Sequence, residues 1–230
     1  MCSRNCRPVC IITNKDEVIL MDCPFCDYSN KNMVLLKNPL TYIIPDFSPL
    51  VIGHLLILPY THVNGIANMD DLTLKDLNQS ISYIESLYSE GQGTFFEHGA
   101  VVPSTAGSSI NHAHLHFLPI NINFELLLSK QNFDLNNAVP IHTLSELRPF
   151  SIRHQPYIYW KYLNDDGFAY PVSLLRSQFL RFVIGETINE SRDYNWHADS
   201  VTECAKDLVK KTVDDWIMRR KVQPQIHRNY

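Results

Sequence analysis

Apolar and polar residues follow two patterns along the first half of the chain, one typical of strands and one typical of a helix. Short runs rich in β-branched and aliphatic residues are separated by Asn-Pro, Pro and Gly positions, which favours sheet strands. Between Asp70 and Glu90 apolar residues recur at helical spacing, and the pattern ends at Gly91. The predicted strands are 34–36, 40–44, 55–58, 94–97 and 113–118, and the predicted apolar face of the helix carries Leu72, Leu77, Ile81, Ile84 and Leu87. Strands around one long helix predict an α+β domain with a mainly antiparallel sheet.

The chain changes character after Asn121. An Asn-rich stretch leads to two strand patterns, 157–163 and 168–172, which flank an Asp-Gly pair suited to a hairpin turn. Helical patterns follow, and Ser200 with Glu203 predicts a capping box before the last of them. The predicted apolar stripe of this last helix is Val201, Cys204, Leu208, Val213 and Trp216. We therefore divide the chain into a leader over 1–22, a first domain over 23–120 and a C-terminal α/β extension over 121–230 that packs on that domain.

Composition and charge narrow the class of protein. The chain has 230 residues, 45% of them hydrophobic and 19% charged, as in globular proteins, and no apolar run reaches the roughly 18 to 20 residues of a membrane span. The first ten residues lack the pattern of a secretory signal, so a cytoplasmic location is expected. A net charge of -4 gives no general attraction to nucleic acid.

The segment 112–116 reads His-Ala-His-Leu-His. On a strand, His112, His114 and His116 would share one face, with neighbouring Cα atoms about 7 Å apart. The alternatives are a histidine-rich strand without chemistry and a pure metal site. The residues between and after the histidines are small or apolar, which indicates a strand with one core face and one chemical face.

At these residues the chain resembles the histidine triad (HIT) family, whose motif is His-φ-His-φ-His-φ-φ with φ apolar. Positions 112–118 match this motif, and the resemblance extends back over most of 23–119. The residues that carry it, in family order, are Asp46, Gly53-His54, the strand 55–59, Thr61-His62-Val63 and Gly107-Ser108-Ser109. The resemblance implies an α+β sandwich, often a homodimer. It also implies hydrolysis or transfer of nucleoside monophosphates through a covalent nucleotidyl-histidine.

The resemblance assigns roles to individual residues. His114 takes the role of nucleophile, and a neutral imidazole, with a reference pKa of about 6.5, is already nucleophilic at pH 7. Its other ring nitrogen should donate to a backbone carbonyl, so that the lone pair faces phosphorus. The other expected contacts are His116 and Ser109 to phosphate or the leaving group, Asp46 to a ribose diol, and His54, Ser108 and His98 around the phosphate. For Asp46 the alternative is a turn-forming residue before Ser48-Pro49.

Two departures from the family limit this transfer. Ser108 stands where many members have Gln, and Glu97-His98-Gly99 replaces a segment that usually begins with an amide residue. An ionised Glu97 among the substrate-binding residues would repel phosphate unless a cation or a sugar hydroxyl lies between them. The loop 100–106 is long enough for either a substrate lid or a plain surface loop. In the extension, Gln178 and Arg181 share a helix face and could clasp phosphate or sugar hydroxyls; the alternative is an amphipathic helix with a solvated Arg181.

The pair Cys23 and Cys26 has two interpretations. A CxxC motif after an apolar run resembles a glutaredoxin active site, but the residues that follow are poor helix formers. A CxxC pair can also supply two of the four ligands of zinc, and some histidine triad proteins add the positions that match His62 and His112. We expect a structural zinc on these four residues. The remaining cysteines are assigned no role, Cys204 is interpreted as helix packing, and a cytoplasmic chain should keep its cysteines reduced.

These observations predict an enzyme, either a nucleotide hydrolase or a nucleotidyltransferase. Its partners would be small molecules of nucleotide or nucleotide-sugar type, with no membrane and no polynucleotide. Two alternatives stay open: a non-catalytic nucleotide-binding module and a glutaredoxin-like thiol redox protein.

Overall fold

An eight-stranded sheet forms the centre of the molecule. The structure is a computed structural model that describes residues 10–14, 17–21, 23–28, 33–89, 91–101, 110–173, 175–188 and 195–222. The strands are β1 (Cys10–Asn14), β2 (Glu17–Met21), β3 (Leu36–Lys37), β4 (Thr41–Pro45), β5 (Leu55–Pro59), β6 (Thr94–Gly99), β7 (Leu115–Leu118), β8 (Val139–Ile141), β9 (Tyr157–Tyr162) and β10 (Gly167–Pro171). The main sheet has the order β3-β4-β5-β7-β6-β9-β10-β8 with antiparallel neighbours. The predicted α+β fold with a mainly antiparallel sheet is confirmed.

The C-terminal hairpin continues this sheet. β9 pairs with β6 from Thr94 opposite Tyr162 to Gly99 opposite Tyr157. The extension is therefore hydrogen-bonded to the edge of the first domain, and the edges of the described main sheet are β3 and β8. β1 and β2 form a separate antiparallel hairpin in the leader, for which the sequence pattern predicts no element.

Helices cover both faces of the sheet. They are α1 (Pro24–Tyr28), α2 (Asp71–Leu87), α3 (Phe124–Lys130), α4 (Arg148–Ile152), α5 (Phe179–Thr187), α6 (Trp196–Asp199) and α7 (Glu203–Val222), with 3-10 turns at Ile66–Asn68, Leu135–Asn137 and Leu144–Leu147. One core lies between the sheet and α2, and a second lies between the opposite face and α3 and α5. Within the described ranges, no helix is both long and apolar enough to cross a membrane.

α2 is the long helix that the sequence predicts. Asp70 caps it by accepting the N–H of Thr73 at 2.7 Å. Leu77, Ile81 and Ile84 are buried against the sheet, and each such side chain stabilises the fold by about 1.5–3 kcal/mol. Leu72 is 69% exposed, so its place in the predicted apolar face is wrong.

α7 buries the predicted face only in part: Trp216 is buried as predicted, and Leu208 and Val213 are half-buried. Its buried residues are Ala205, Thr212 and Trp216, and Thr212 Oγ1 accepts the N–H of Gly53 at 2.9 Å. Cys204 is exposed, as is Val201, so the prediction that Cys204 packs inside is wrong. At the helix start Ala205 N–H donates to Thr202 Oγ1 at 3.1 Å, whereas the sequence predicts a capping box of Ser200 with Glu203.

Candidate active site

The three histidines do not form one straight row. β7 begins at Leu115, so His112 and His114 precede the strand and only His116 lies in it. Ala113 N–H donates to Val63 O at 2.6 Å, which holds the segment before β7 against the chain that leaves β5. His112 contacts the cysteine pair, while the rings of His114 and His116 lie 4.9 Å apart at the cavity. The triad therefore divides into one residue beside the cysteines and two beside the cavity.

A backbone carbonyl sets the orientation of His114. Its Nδ1 lies 2.6 Å from His112 O, and because a carbonyl only accepts, Nδ1 carries the proton. A backbone carbonyl is the partner that the sequence predicts for this ring. Burial lowers the pKa of His114 below 6.5, so the ring is neutral at pH 7. The lone pair is consequently on Nε2.

A second hydrogen-bond chain orients His116. Leu50 N–H donates to His54 Nδ1 at 3.1 Å, so the proton of His54 is on Nε2. That Nε2 lies 2.9 Å from His116 Nδ1, which must therefore accept. Burial places the pKa of His116 well below 6.5, and its ring stacks on Phe96 with centroids 4.6 Å apart. A neutral His116 with Nδ1 as acceptor has its proton on Nε2 and is a hydrogen-bond donor on that side.

Asp46 and Arg181 form a buried ion pair at the end of β4. Arg181 Nη1 lies 3.2 Å and 3.1 Å from the two oxygens of Asp46. Its Nη2 donates to Ser48 O at 2.5 Å and to Ser48 Oγ at 3.0 Å. Ser48 Oγ in turn hydrogen-bonds the buried Asp199 of α6. The alternative of a solvated Arg181 is wrong, because this side chain is 6% exposed and ties α5 to the turn after β4.

Asp46, His54 and His116 each offer one possible metal-ligand atom. These atoms lie within 4.8 Å of one another, a spacing that could hold a metal ion. Two observations oppose a metal here. His54 uses its single lone pair, on Nδ1, to accept from Leu50 N–H. Asp46 already has the cationic Arg181 as its partner. These groups therefore form a hydrogen-bond network that supports the site.

Glu97 does not face the phosphate region. Phe96 and His98 line the cavity, so Glu97, between them on β6, points to the opposite face of the sheet. Its carboxyl accepts from Ile66 N–H at 2.8 Å and from the Tyr157 hydroxyl. Burial raises its pKa to about 7. The sequence-based placement of Glu97 among the substrate-binding residues is not supported by this geometry.

Glu97→Gln should remove the pH-dependent contribution of Glu97 to the free energy of unfolding. The pKa of Glu97 is about 7 in the folded chain against an ordinary 4.5. Between pH 4.5 and pH 7, Glu97 is therefore protonated in the folded chain and ionised in the unfolded chain. The free energy of unfolding should therefore fall as pH rises from about 4.5 to about 7, by roughly 3 kcal/mol, and level off above. Denaturant unfolding of the wild type and of Glu97→Gln between pH 5 and 8 measures the difference in their free energies of unfolding at each pH. A constant difference across that range would contradict the prediction.

The cavity beside His114 and His116 lies between the sheet and the extension. Phe25, Phe47 and Trp196 give it aromatic walls, and no sequence motif points to Trp196. His98 also lines it, and no described residue gives a hydrogen bond to its buried Nε2. Gln178 lines it too, but its amide is used by Asn195 and by the N–H of Trp196. Ser108, Ser109 and most of the 100–106 loop lie outside the described residues.

The cysteine pair meets two histidines at the start of α1. Cys23 Sγ and Cys26 Sγ lie 3.4 Å and 3.5 Å from His112 Nδ1, and Cys26 Sγ lies 3.4 Å from His62 Nδ1. Zinc bonds of about 2.3 Å to sulfur and 2.05 Å to nitrogen give S···N edges of about 3.6 Å in a tetrahedron. His112 Nε2 donates to Pro59 O at 3.0 Å, which leaves Nδ1 as the ligand atom. The four residues fit a zinc ion.

Comparison with known proteins finds a family model that matches the part of the chain carrying most of this site. Residues 28–121 match the family model described as the HIT domain. The match includes Asp46, His54 and the three triad histidines, while α3 to α7 and β8 to β10 lie outside it.

Individual relatives overlap the same part of the chain. An uncharacterized HIT-like protein of Borreliella burgdorferi is 29% identical over 110 residues, 44% of this chain and 76% of the relative. A zinc-bound histidine triad family protein from Mycobacterium smegmatis is 20% identical, with 46% of this chain and 79% of that chain covered and a TM-score of 0.36. A histidine triad nucleotide-binding protein from Candida albicans is 21% identical, and the match covers 48% of this chain and 93% of that chain with a TM-score of 0.35.

Proposed function

We propose that this protein is a nucleotide hydrolase or nucleotidyltransferase that acts through a covalent adduct on His114. The observation that carries the proposal is the 2.6 Å contact of His114 Nδ1 with His112 O, which leaves a neutral Nε2 lone pair beside the cavity. A nucleophile of this kind needs no separate strong base. The HIT-domain match over residues 28–121 supports the same chemistry.

The reaction has two displacements at one phosphorus. His114 Nε2 attacks the α-phosphorus, a P–N bond forms, and the P–O or P–N bond to the leaving group breaks. Water or a second phosphate then attacks the same phosphorus, the P–N bond to His114 breaks, and the neutral imidazole returns. His116, with its proton on Nε2, donates a hydrogen bond to the oxygens on which charge develops. His98 Nε2 has no partner among the described residues, which supports a hydrogen bond from it to substrate.

The adduct itself tests this proposal. The full chain is incubated with a panel of nucleotides and nucleotide-sugars, and intact-mass measurement follows the gain of one nucleoside monophosphate. A chain that binds nucleotides but never forms an adduct would be the non-catalytic module instead. A Cys23 that cycles with thiol reagents and tracks activity would favour the thiol redox alternative instead.

We further propose that residues 121–230 select the substrate. Gln178, Arg181 and Trp196 come from this extension and line the cavity, but they supply no nucleophile.

A homodimer and a cytoplasmic location stay predictions. A dimer that pairs strands through β6 is excluded by geometry, since β9 already covers that edge.

The proposed zinc is structural. Cys23, Cys26, His62 and His112 would hold it, and bound zinc would fix α1 and the segment before β7 relative to each other. We expect about one zinc per chain in protein purified under reducing conditions. Cys23→Ser should lose the metal and lower the melting temperature. The exposed Cys204→Ser is the matched control, and equal metal content in both variants would refute the assignment.

A further inference from the structure

The cavity beside the histidines is too small for a whole nucleotide, but a larger cavity adjoins it. The space beside His114 and His116 has a volume of about 50 Å³, which holds a few water-sized groups such as the oxygens of a phosphate. The adjoining cavity has a volume of about 620 Å³, within the roughly 300–1,000 Å³ of ordinary ligand sites. Asp46, Phe47 and Trp196 line both cavities. A nucleotide whose phosphate meets His114 would therefore extend past these three residues.

Trp196 offers aromatic surface at the junction of the two cavities. The walls of the larger cavity are mostly apolar, and among the described residues Phe47 and Trp196 are its aromatic members, with ring centroids 6.1 Å apart. His197 stacks on one face of the Trp196 ring with centroids 3.8 Å apart. Every nucleobase has a flat π-face that stacks on an aromatic side chain. A base that enters the larger cavity would therefore stack on the face of Trp196 that His197 leaves uncovered.

Gln178 holds Trp196 in this position. Trp196 N–H donates to Gln178 Oε1 at 2.9 Å, and Gln178 Nε2 donates to Asn195 Oδ1 at 3.0 Å. Gln178 has φ 59° and ψ 24°, a left-handed conformation that residues other than glycine rarely adopt. A backbone of this kind persists where surrounding contacts hold it, and here both groups of the amide are used at the start of α6. Gln178 is therefore a positioning residue for Trp196.

We propose that the nucleobase of the substrate stacks on Trp196, and that this contact makes the site specific for nucleotides over phosphorylated sugars without a base. The proposal rests on the proposed nucleotide chemistry and names the residue through which the extension takes part in it. Trp196 and Gln178 both lie outside the residues that match the HIT domain model. The stacking contact is therefore a property of the extension.

Calorimetric binding of AMP, GMP and ribose 5-phosphate to the full-length protein and to its Trp196→Leu variant tests the proposal. Ribose 5-phosphate has the sugar and the phosphate but no base. We expect Trp196→Leu to weaken AMP and GMP by roughly 5- to 150-fold, the contribution of one base stacked on an aromatic ring. The affinity for ribose 5-phosphate should change by less than about 3-fold, because this compound makes no stacking contact.

The possible failures are distinguishable. Equal weakening of all three ligands would overturn the proposal, since Trp196 would then only support the shape of the cavity. Unchanged affinity for AMP and GMP in Trp196→Leu would overturn it as well and leave the proposed function standing. Failure of both nucleotides to bind the wild type would overturn the proposed function together with this inference.

Three further variants separate stacking from packing. Trp196→Phe keeps an aromatic ring and should recover most of the nucleotide affinity that Trp196→Leu loses. Gln178→Leu should weaken AMP and GMP but not ribose 5-phosphate, because Trp196 is then no longer held. The matched control is Phe168→Leu, which removes an aromatic side chain that is 37% exposed and lies outside both cavities, and all three affinities should stay unchanged. A loss of nucleotide affinity as large in Trp196→Phe as in Trp196→Leu would contradict the stacking role.

Discussion

Replacing His114 with alanine should reduce turnover by about 10³-fold or more while nucleotide binding is retained. The imidazole is the only group of the protein that forms a bond to phosphorus in the proposed reaction. Without it neither the adduct nor the second displacement can occur. Steady-state kinetics, intact-mass detection of the adduct and calorimetric nucleotide binding check the three parts of this prediction.

The matched control for His114 is His142→Ala. His142 is exposed, pairs with Asp166 at 2.7 Å and lies outside the cavity, so its loss should leave turnover unchanged. His116→Ala should give a smaller defect, ~10- to 1000-fold, because this residue stabilises charge and forms no covalent bond. Wild-type turnover in folded His114→Ala would refute the covalent mechanism.

Arg181→Met should destabilise the fold by about 3–5 kcal/mol, since it leaves the Asp46 carboxylate buried without its counter-ion. That loss is large against a total stability of about 5–15 kcal/mol for a typical protein. Denaturant unfolding at neutral pH measures it. Asp46→Asn in the same chain should recover part of the loss, because the unpaired charge is then gone.

Arg148→Met is the control for this second prediction. Arg148 pairs with Asp71 on the surface, where the two side chains are 38% and 79% exposed. An exposed pair contributes about 0–1 kcal/mol. If Arg181→Met cost no more than Arg148→Met, the buried pair would not anchor α5 to the first domain.

The position of α5 links the extension to the segments that carry the histidines. Arg181 lies in α5 and Asp199 in α6, yet both reach the turn after β4 through Ser48. The same turn carries Asp46 and leads to His54, whose imidazole sets the proton position on His116. A change in α5 can therefore alter the histidines without touching them.

Local patterns were sufficient to predict several features of this protein. Helical spacing that ends at Gly91 predicts α2, and short β-rich runs separated by Pro and Gly positions predict the strands, because these signals depend on neighbours in the chain. The triad motif, through its resemblance to the HIT family, marks His114 as a candidate nucleophile. The carbonyl that orients it is only two residues away, so its bond to Nδ1 is also a local feature.

Tertiary structure decided the features that depend on distant residues. Arg181 and Asp46 are 135 positions apart, and no local pattern indicates that the carboxylate expected to bind ribose has an internal partner. The face that Glu97 occupies follows from the register of β6, which a single sequence leaves open. The pairing of β9 with β6 joins two strands that are far apart in the chain, which no local pattern specifies. The sequence therefore determined the fold class and the nucleophile candidate, whereas long-range pairing decided how the cavity is closed and which of its polar groups are free to meet a substrate.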